Sequence, residues 1–285
     1  MIVWLSSYPK SGNTLLRSLI STYMFTKDGN FNFENLKNIP QFPDLQFFKN
    51  IGVNVNNQET IIKNYISSQE EIIKNKINPI VFLKTHSTLH NINGNPFTNL
   101  KNTLGVIYVV RDPRNIVLSY ANHNQITLEQ AAKSLTSFRV LGGKKDSEDM
   151  SDRIQTHVGS WSSHYYVWKE LEKLNKYILI KYEDLVSNTK ETFVKILKFI
   201  YQLNNSHLVI DPKKLENTIK STTFDKLQLL EKNNIFPEAK KDSNNQYVTF
   251  FKYGPKNDWK KTLSKELIKK IEETFAKEMK ELGYL

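Results

Sequence analysis

The sequence predicts an α/β protein in which a central parallel β-sheet is flanked by helices, with residues 1–285 forming one domain. Three largely apolar runs, at residues 2–5, 79–86 and 104–110, are typical of strands that are buried on both faces of a parallel sheet. Two of these runs lead directly into residues that favour the start of a helix. No linker and no internal repeat divides the chain, and its length permits a substantial core.

The first apolar run is followed by a loop with a lysine and a glycine, and then by a helical pattern. The loop and the helix start read Tyr8-Pro9-Lys10-Ser11-Gly12-Asn13-Thr14-Leu15-Leu16-Arg17. The N–H groups and the dipole of a helix start attract anions, Gly12 permits a close approach, and Lys10 can add a full charge. In the nucleoside triphosphatase loop, however, the lysine follows the last glycine. On these residues alone, a phosphate site and an ordinary strand-to-helix turn are equally good interpretations.

The second run places Lys84 and His86 at the carboxyl end of a predicted parallel strand. Ligands of open α/β sheets bind outside that end. A histidine there can act as a general base near neutral pH, because the unperturbed pKa of its ring is about 6.5. A single histidine in a loop is more often a structural polar residue, so this interpretation depends on its neighbours.

The third run ends at Arg111 and leads into a predicted helix. Asp112 is a good N-cap residue and Pro113 suits the first helical position, so the helix should run to about residue 120. Ser119 then lies two turns along, on the side of the strand end that carries the arginine. These two side chains suggest a second anion site. Alternatively, the arginine pairs with Asp112 or Asp184, and the serine faces solvent.

These three segments, in this order, resemble the cytosolic-type sulfotransferases, which use 3′-phosphoadenosine 5′-phosphosulfate (PAPS) as sulfuryl donor. The family's first loop reads close to Tyr-Pro-Lys-Ser-Gly-Thr-Thr and binds the 5′-phosphosulfate, and here Asn13 replaces one threonine. The strand end Lys84-Thr85-His86 is similar to a family motif whose histidine is the base. The segment from Arg111 to Ser119 is similar to the one that binds the 3′-phosphate.

The resemblance continues to the last helix and covers nearly the whole chain. Residues 159–168 resemble the family's central helix, Tyr182 and residues 222–224 resemble adenine contacts, and residues 250–259 resemble the closing loop. The resemblance implies a P-loop-type sheet and a donor site that comprises Lys10, Ser11, Gly12, Asn13, Thr14, Leu15, Arg111, Ser119, Tyr182, Thr222, Phe224, Lys252, Tyr253 and Gly254.

The resemblance also implies the reaction and the catalytic residues. PAPS is the co-substrate, 3′-phosphoadenosine 5′-phosphate (PAP) is the product, and no metal takes part. His86 removes the proton of a hydroxyl or amine acceptor. Lys10 neutralises charge on the bridging oxygen, and Lys84 stabilises the sulfuryl oxygens. Ser119 holds the first lysine away from the donor until the acceptor arrives.

Several positions depart from the family pattern. Leu15 stands where many members have a tryptophan that stacks on adenine, so stacking must come from Phe224 or be weaker. Lys252 and Tyr253 replace an Arg-Lys pair, which removes one charge and a bidentate fork from the 3′-phosphate contact. We therefore expect Arg111 to carry more of that contact. The oligomeric state is not predicted.

The identity of the acceptor is not predicted by the sequence. Small molecules, glycans and lipid headgroups all fit a pocket built from loops within residues 27–79, 123–150 and 225–250. The first of these loops contains five phenylalanines without a clear period, which either line an apolar pocket or pack the loop over the sheet. They are Phe31, Phe33, Phe42, Phe47 and Phe48.

The composition is compatible with an anionic ligand. The formal net charge is +11, and the donor carries two phosphates and a sulfate. The basic residues are spread along the chain without a known nucleic-acid module, so nucleic acid is not a predicted partner. The absence of cysteine excludes disulfides, thiolate metal sites and a cysteine nucleophile. Since no run of about 18 apolar residues and no secretory signal pattern occurs, we expect a cytoplasmic protein without a membrane span.

Two other functions fit parts of the sequence. A P-loop kinase-like phosphotransferase would use ATP with Mg²⁺ and would need a lysine after the glycine. A catalytically inactive nucleotide-binding protein of the same fold would account for the altered pair at 252–253, but the intact catalytic residues disfavour it.

Two further patterns predict packing. The run from Asn188 to Glu191 suggests a capping box that opens a helix. A second apolar stripe, from Leu267 to Leu282, predicts the last helix. The apolar face of the first of these helices comprises Phe193, Ile196, Leu197 and Ile200.

Overall fold

The computed structural model describes residues 1–75, 79–143, 153–233, 236–239, 241–242, 244 and 246–285. The strands in these residues are β1 (Ile2–Ser7), β2 (Val81–Thr85), β3 (Asn91–Ile92), β4 (Asn95–Pro96), β5 (Thr103–Val110), β6 (Val140–Leu141), β7 (Thr156–His157) and β8 (Tyr177–Lys181). One parallel sheet has the order β2-β1-β5-β8, and the other strands form two short antiparallel pairs. The predicted central parallel sheet is therefore confirmed.

The α-helices of the described residues surround this sheet. They are α1 (Asn13–Phe25), α2 (Leu45–Lys49), α3 (Gln58–Lys63), α4 (Tyr65–Lys74), α5 (Pro113–Asn124), α6 (Leu128–Thr136), α7 (Trp161–Lys169), α8 (Tyr182–Ser187), α9 (Thr189–Leu203), α10 (Pro212–Ser221), α11 (Phe224–Asn233), α12 (Trp259–Thr262), α13 (Lys265–Thr274) and α14 (Ala276–Glu281). Short 3₁₀ segments lie at Phe33–Asn38, Glu170–Leu174 and Gly254–Lys256. Across the described ranges, no helix has the length and apolar character that a membrane crossing requires.

The sheet is buried on both faces, which explains why its strands are continuously apolar. Trp4 of β1 packs into a core cluster on one face, with Leu83 and Tyr108 from the neighbouring strands. The next residue, Leu5, packs into a second cluster on the opposite face, with Ile107. Because side chains alternate along a strand, every residue of β1 is buried. Two packed cores therefore hold the edge at which the parallel strands end.

The helix that follows β5 begins as predicted. The Asp112 side chain accepts a hydrogen bond from the Arg114 backbone N–H at 2.9 Å, and Pro113 is the first helical residue. The helix continues to Asn124, about one turn beyond the expected end, and Gln125 then takes a left-handed conformation with a φ of 52°.

Two predictions about helix ends are wrong. No side-chain hydrogen bond caps α9 at Asn188, because α8 ends directly before it and the Asn188 N–H already donates to the Asp184 carbonyl at 2.9 Å. The last apolar stripe lies on two helices, α13 and α14, which are separated at Phe275. The four apolar positions of α9 are all buried, so the core face of that helix is confirmed.

The five phenylalanines of the first loop pack into the protein interior. Phe42 and Phe48 belong to the core on one face of the sheet, and Phe47 packs against it. Phe31 and Phe33 join a separate aromatic cluster with phenylalanines from the C-terminal part of the chain. The five phenylalanines therefore pack the loop over the sheet, and they do not line an apolar acceptor pocket.

Candidate active site

The carboxyl ends of the parallel strands face one cavity of about 980 Å³. We call the four strands and the residues that directly follow them the frame. The predicted catalytic and donor-site residues line this cavity with one exception, Ser11, which is fully buried. The lining members are Lys10, Gly12, Asn13, Thr14, Leu15, Lys84, His86, Arg111, Ser119, Tyr182, Thr222, Phe224, Lys252, Tyr253 and Gly254.

The loop after β1 leaves a row of backbone donors at the start of α1. Lys10 and Gly12 have φ of 68° and 105°, and a Cβ at Gly12 would lie 2.3 Å from the Tyr182 ring, so glycine is required. Within the described ranges, the N–H groups from Gly12 to Leu15 have no hydrogen-bond partner. A helix start with unpaired N–H groups can bind an anion.

Asn13, which replaces a threonine of the family pattern, ties α1 to the frame. Its Nδ2 donates to the Leu5 carbonyl at 2.9 Å and to the Ser7 hydroxyl at 3.2 Å. Its Oδ1 and the Ser11 hydroxyl are buried without a hydrogen-bond partner among the residues that the structure describes. The loop thus adds unpaired side-chain oxygens to the unpaired backbone donors.

His86, directly after β2, is oriented by the backbone of β1. Its Nδ1 lies 2.8 Å from the Ser7 carbonyl oxygen, so this nitrogen carries the proton of that hydrogen bond. Nε2 is then the proton-free nitrogen of the neutral ring. Burial, and after it the charge of Lys84, lower the pKa of His86 to about 3, so the ring is neutral at physiological pH.

A chain of buried hydrogen bonds holds the backbone carbonyl of His86. His164 Nε2 donates to the His86 carbonyl at 3.2 Å, and His164 Nδ1 accepts from the Tyr108 hydroxyl at 2.9 Å. Burial lowers the pKa of His164 to about 3, which keeps this ring neutral as well. From the sequence, His164 could be placed only in the segment that resembles the family's central helix. The contact was missed because the two histidines are 78 residues apart.

Lys84 shares a carboxylate with an arginine that sequence reasoning did not assign. Glu238 accepts hydrogen bonds from Lys84 Nζ at 3.1 Å and from Arg17. Burial opposes ionisation of Glu238, but the charges of Lys84 and Arg17 outweigh it and lower the pKa of the carboxyl. Burial also lowers the pKa of Lys84, and the glutamate opposes that shift. Arg17 is the only charged residue of α1, which is the signal that could have identified it.

Arg111, directly after β5, is held by backbone and aromatic contacts. Its guanidinium donates to the carbonyls of Lys10 at 3.4 Å and Gly254 at 3.2 Å. The guanidinium carbon lies 4.1 Å from the centre of the Tyr182 ring, which follows β8. Its Nε is buried and has no hydrogen-bond partner in the described part of the chain.

The alternative interpretation of Arg111, in which it pairs with Asp112 or Asp184, is not observed. Asp112 forms an ion pair with Arg114, at 2.7 Å. No ion pair between described residues joins Arg111 to Asp112 or Asp184. Ser119 is partly buried and lines the cavity with the arginine.

A segment that we call the lid, defined as the described residues of 224–256, contributes to the wall of the cavity. The Lys10 Nζ lies 3.8 Å from the centre of the Phe250 ring. The lid therefore contacts the first lysine through an aromatic face.

The residues expected near adenine lie between α1, α10 and the lid. Leu15 and Phe224 both pack at the edge of one aromatic cluster. The Phe224 ring is so close to Gly254 that a Cβ there would lie 2.2 Å away. The buried Thr222 hydroxyl donates to the Thr218 carbonyl at 2.7 Å, so it can only accept a hydrogen bond from a ligand.

The lid pair that replaces Arg-Lys is exposed. Lys252 Nζ donates to Asn122 Oδ1 at 2.8 Å, and 38% of Tyr253 is exposed. Arg111 is only 6% exposed. Of the two cations expected to contact the 3′-phosphate, Arg111 of the frame is thus buried and Lys252 of the lid is exposed to solvent.

The same cavity is lined by all three loops that were expected to form the acceptor pocket. They contribute polar and apolar side chains, among them Gln41, Asp44, Asn124, Arg139 and Leu141. Positions 76–78, 144–150, 234–235, 240, 243 and 245 of these loops lie outside the described residues.

Comparison with known proteins identifies the family. The sulfotransferase domain model matches residues 2–283. The chain belongs to this family. Sulfotransferase 1A1 of Canis lupus familiaris is 24% identical to this sulfotransferase, over 98% of the present chain and 83% of the relative. Sulfotransferase 1E1 of Mus musculus is 23% identical, over 97% and 83%. The protein is therefore an enzyme that transfers sulfuryl groups.

Solved structures confirm the P-loop-type fold of the sulfotransferase. Mouse sulfotransferase SULT7A1 complexed with PAP aligns with a TM-score of 0.57 at 17% identity, over 97% of this chain and 83% of that chain. Retinol dehydratase in complex with androsterone and inactive cofactor PAP aligns with a TM-score of 0.58 at 15% identity, over 98% and 80%.

Proposed function

We propose that this sulfotransferase moves the sulfuryl group of PAPS to a hydroxyl or amine of its acceptor, with His86 as the general base. The observation that carries this proposal is the orientation of His86. Its Nδ1 proton is held by the Ser7 carbonyl, which leaves Nε2 free to accept a proton beside Lys10 and Lys84 in one cavity. The PAP complexes of two proteins with the same fold support the choice of donor.

The backbone donors and the cations of the cavity fit the anionic ends of PAPS. The N–H groups from Gly12 to Leu15 and the Lys10 ammonium would bind its 5′-phosphosulfate. Arg111, whose Nε is unpaired among described residues, and Ser119 would bind its 3′-phosphate, with Lys252 as a weaker contributor. The rings of Tyr182 and Phe224, with Leu15 and Thr222, would enclose adenine.

The proposed step is an in-line transfer. The acceptor oxygen or nitrogen forms a bond to sulfur while the bond between sulfur and the bridging oxygen of PAP breaks, and the acceptor proton passes to His86 Nε2. Lys10 neutralises the charge that develops on the bridging oxygen, and Lys84 stabilises the sulfuryl oxygens. An anionic donor beside the ring raises the pKa of His86 and so makes it a stronger base than in the free enzyme.

Ser119 and the acceptor complete the proposal. Ser119 holds Lys10 away from the donor until the acceptor binds, which would suppress hydrolysis. Both residues line the cavity, and in the present conformation the lysine lies over Phe250. The acceptor, a small molecule, a glycan or a lipid headgroup, binds among the three loops that line the cavity.

The proposal is tested with ³⁵S-labelled PAPS and a panel of phenols, alcohols, amines, sugars and lipid headgroups in chelated buffer. We expect label transfer to at least one class without added metal, and transfer by His86→Ala at a rate lower by about 10²–10⁴-fold or more. Mg²⁺-dependent transfer of the γ-phosphate of ATP to the same panel would instead support a kinase. Binding of PAP without transfer from PAPS to any acceptor would support an inactive nucleotide-binding protein.

A further inference from the structure

One carboxylate in the cavity bridges two buried cations. Glu238 accepts from Lys84 Nζ at 3.1 Å through one oxygen and from Arg17 through the other. The two basic side chains are 6% and 8% exposed, and that of Glu238 is 28% exposed. Both cations are therefore within reach of a single small anion.

The two cations are fixed, and the carboxylate belongs to a different part of the chain. Arg17 Nη2 donates to the Leu36 carbonyl at 2.8 Å, and Lys84 lies within β2. Because two buried cations are costly without a counter-charge, loss of the Glu238 carboxylate favours its replacement by another anion.

Glu238 lies on the lid, which also contacts the other cations of the site. Phe236, two residues before it, is buried among Phe33, Phe250 and other rings. The same lid places Phe250 over Lys10 at 3.8 Å and the Gly254 carbonyl on the strand-end arginine. Movement of the lid would release the Glu238 carboxylate together with these contacts.

We propose that Arg17 and Lys84 together form the subsite for the sulfuryl oxygens, and that Glu238 occupies this subsite until PAPS displaces it. This inference rests on the proposed function. Arg17 is then a further catalytic residue, which touches the transferred group, and Glu238 is an internal competitor of that group. PAP has no sulfuryl group, so it binds without displacing the glutamate. The affinity for PAPS relative to PAP therefore depends on Glu238.

The test is calorimetric titration of the full chain with PAPS and with PAP, without acceptor. In Glu238→Gln we expect PAPS to bind roughly tenfold tighter and PAP to change by less than about twofold. In Arg17→Gln we expect PAPS to bind roughly tenfold weaker, again with little change for PAP, and Arg17→Lys should recover part of the loss. PAP binding itself reports that each variant has folded.

Asp44→Asn is the matched control, because Asp44 is another carboxylate of the cavity wall and asparagine can keep its cap on the Gln46 N–H. Equal changes for PAPS and PAP in Glu238→Gln, or the same selective gain in Asp44→Asn, would overturn the inference. So would unchanged PAPS affinity in Arg17→Gln. If wild-type protein bound neither nucleotide, the proposed function itself would fail, which is a separate result.

Discussion

The frame and the lid supply the same cavity with functional groups in different ways. His86 and Arg111 directly follow strands that two cores enclose, and backbone carbonyls orient both side chains. The lid contacts the cations of the cavity: Glu238 accepts from Lys84 and Arg17, Phe250 lies over Lys10, and the Gly254 carbonyl accepts from Arg111. The strand ends thus carry the proposed base and the buried contact for the 3′-phosphate, whereas the lid carries groups that lie on the cations of the cavity.

The largest expected effect tests the frame. His86→Ala removes the proposed base, so we expect the transfer rate to fall by about 10²–10⁴-fold or more, since general base catalysis contributes that range. PAP affinity should be unchanged, because the proposed PAP contacts come from other residues. Transfer of labelled sulfuryl groups and PAP titration measure the two effects. The exposed His207 provides the control His207→Ala, and full activity in His86→Ala would show that the base is another group.

Arg111→Gln comes next, because it removes the buried cation of the frame. A hydrogen bond to a charged group contributes about 1.5–3 kcal/mol, so PAP should bind roughly ten- to a hundredfold more weakly. AMP, which lacks the 3′-phosphate, is the matched ligand and should lose much less affinity. Equal losses for PAP and AMP would show that the arginine supports the fold of the site and not the 3′-phosphate.

His164 tests whether the frame positions the base. His164→Phe removes the hydrogen bond to the His86 carbonyl, and we expect a roughly tenfold lower transfer rate, since small displacements of a catalytic group lower the rate. His164→Gln keeps an N–H donor and should recover part of the rate. PAP affinity should be the same in both variants. Equal rates in the two variants would contradict a positioning role for this hydrogen bond.

The same histidine predicts how stability depends on pH. In the unfolded chain its pKa is about 6.5, whereas burial lowers the pKa of His164 to about 3 in the fold. Below pH 6.5 or so the unfolded chain binds a proton that the folded chain does not, so the free energy of unfolding should fall by up to about 1.4 kcal/mol per pH unit from this residue. Urea unfolding from neutral pH to about pH 5 measures this slope. The slope should be shallower in His164→Phe, and an unchanged slope would show that another group is responsible.

The smallest expected effect lies on the lid. Lys252 is exposed and bonded to Asn122, and exposed ion pairs contribute about 0–1 kcal/mol, so Lys252→Gln should weaken PAP binding by less than about fivefold. The loss should shrink further at high salt. PAP titrations at low and high salt measure it. A loss as large as that of Arg111→Gln would remove the distinction between the frame and the lid.

The frame could be predicted because its residues depend on local order. Apolar runs on both faces predict buried parallel strands, and Lys84, His86 and Arg111 come at the ends of such runs. The Asp112 and Pro113 signal also found the correct start of α5. The capping box at Asn188 failed because the preceding helix already uses the backbone group that the box needs.

The lid contacts could not be predicted, because they join residues that are distant in sequence. Arg17 and Glu238 are 221 residues apart, and nothing in the pattern around Glu238 points to a buried cation. The hydrogen bond between His164 and the His86 backbone could not be predicted for the same reason. Such pairs depend on how the packed elements meet, which periodicity and motif spacing do not determine.

The proposed function requires that the cavity at the strand ends bind PAPS. We would therefore titrate the protein with PAP, ATP and AMP, with Mg²⁺ and with a chelator. We expect PAP to bind in preference to ATP and AMP, and Mg²⁺ to leave its affinity unchanged. Preference for ATP with Mg²⁺, or binding of none of the three nucleotides, would contradict the proposed function.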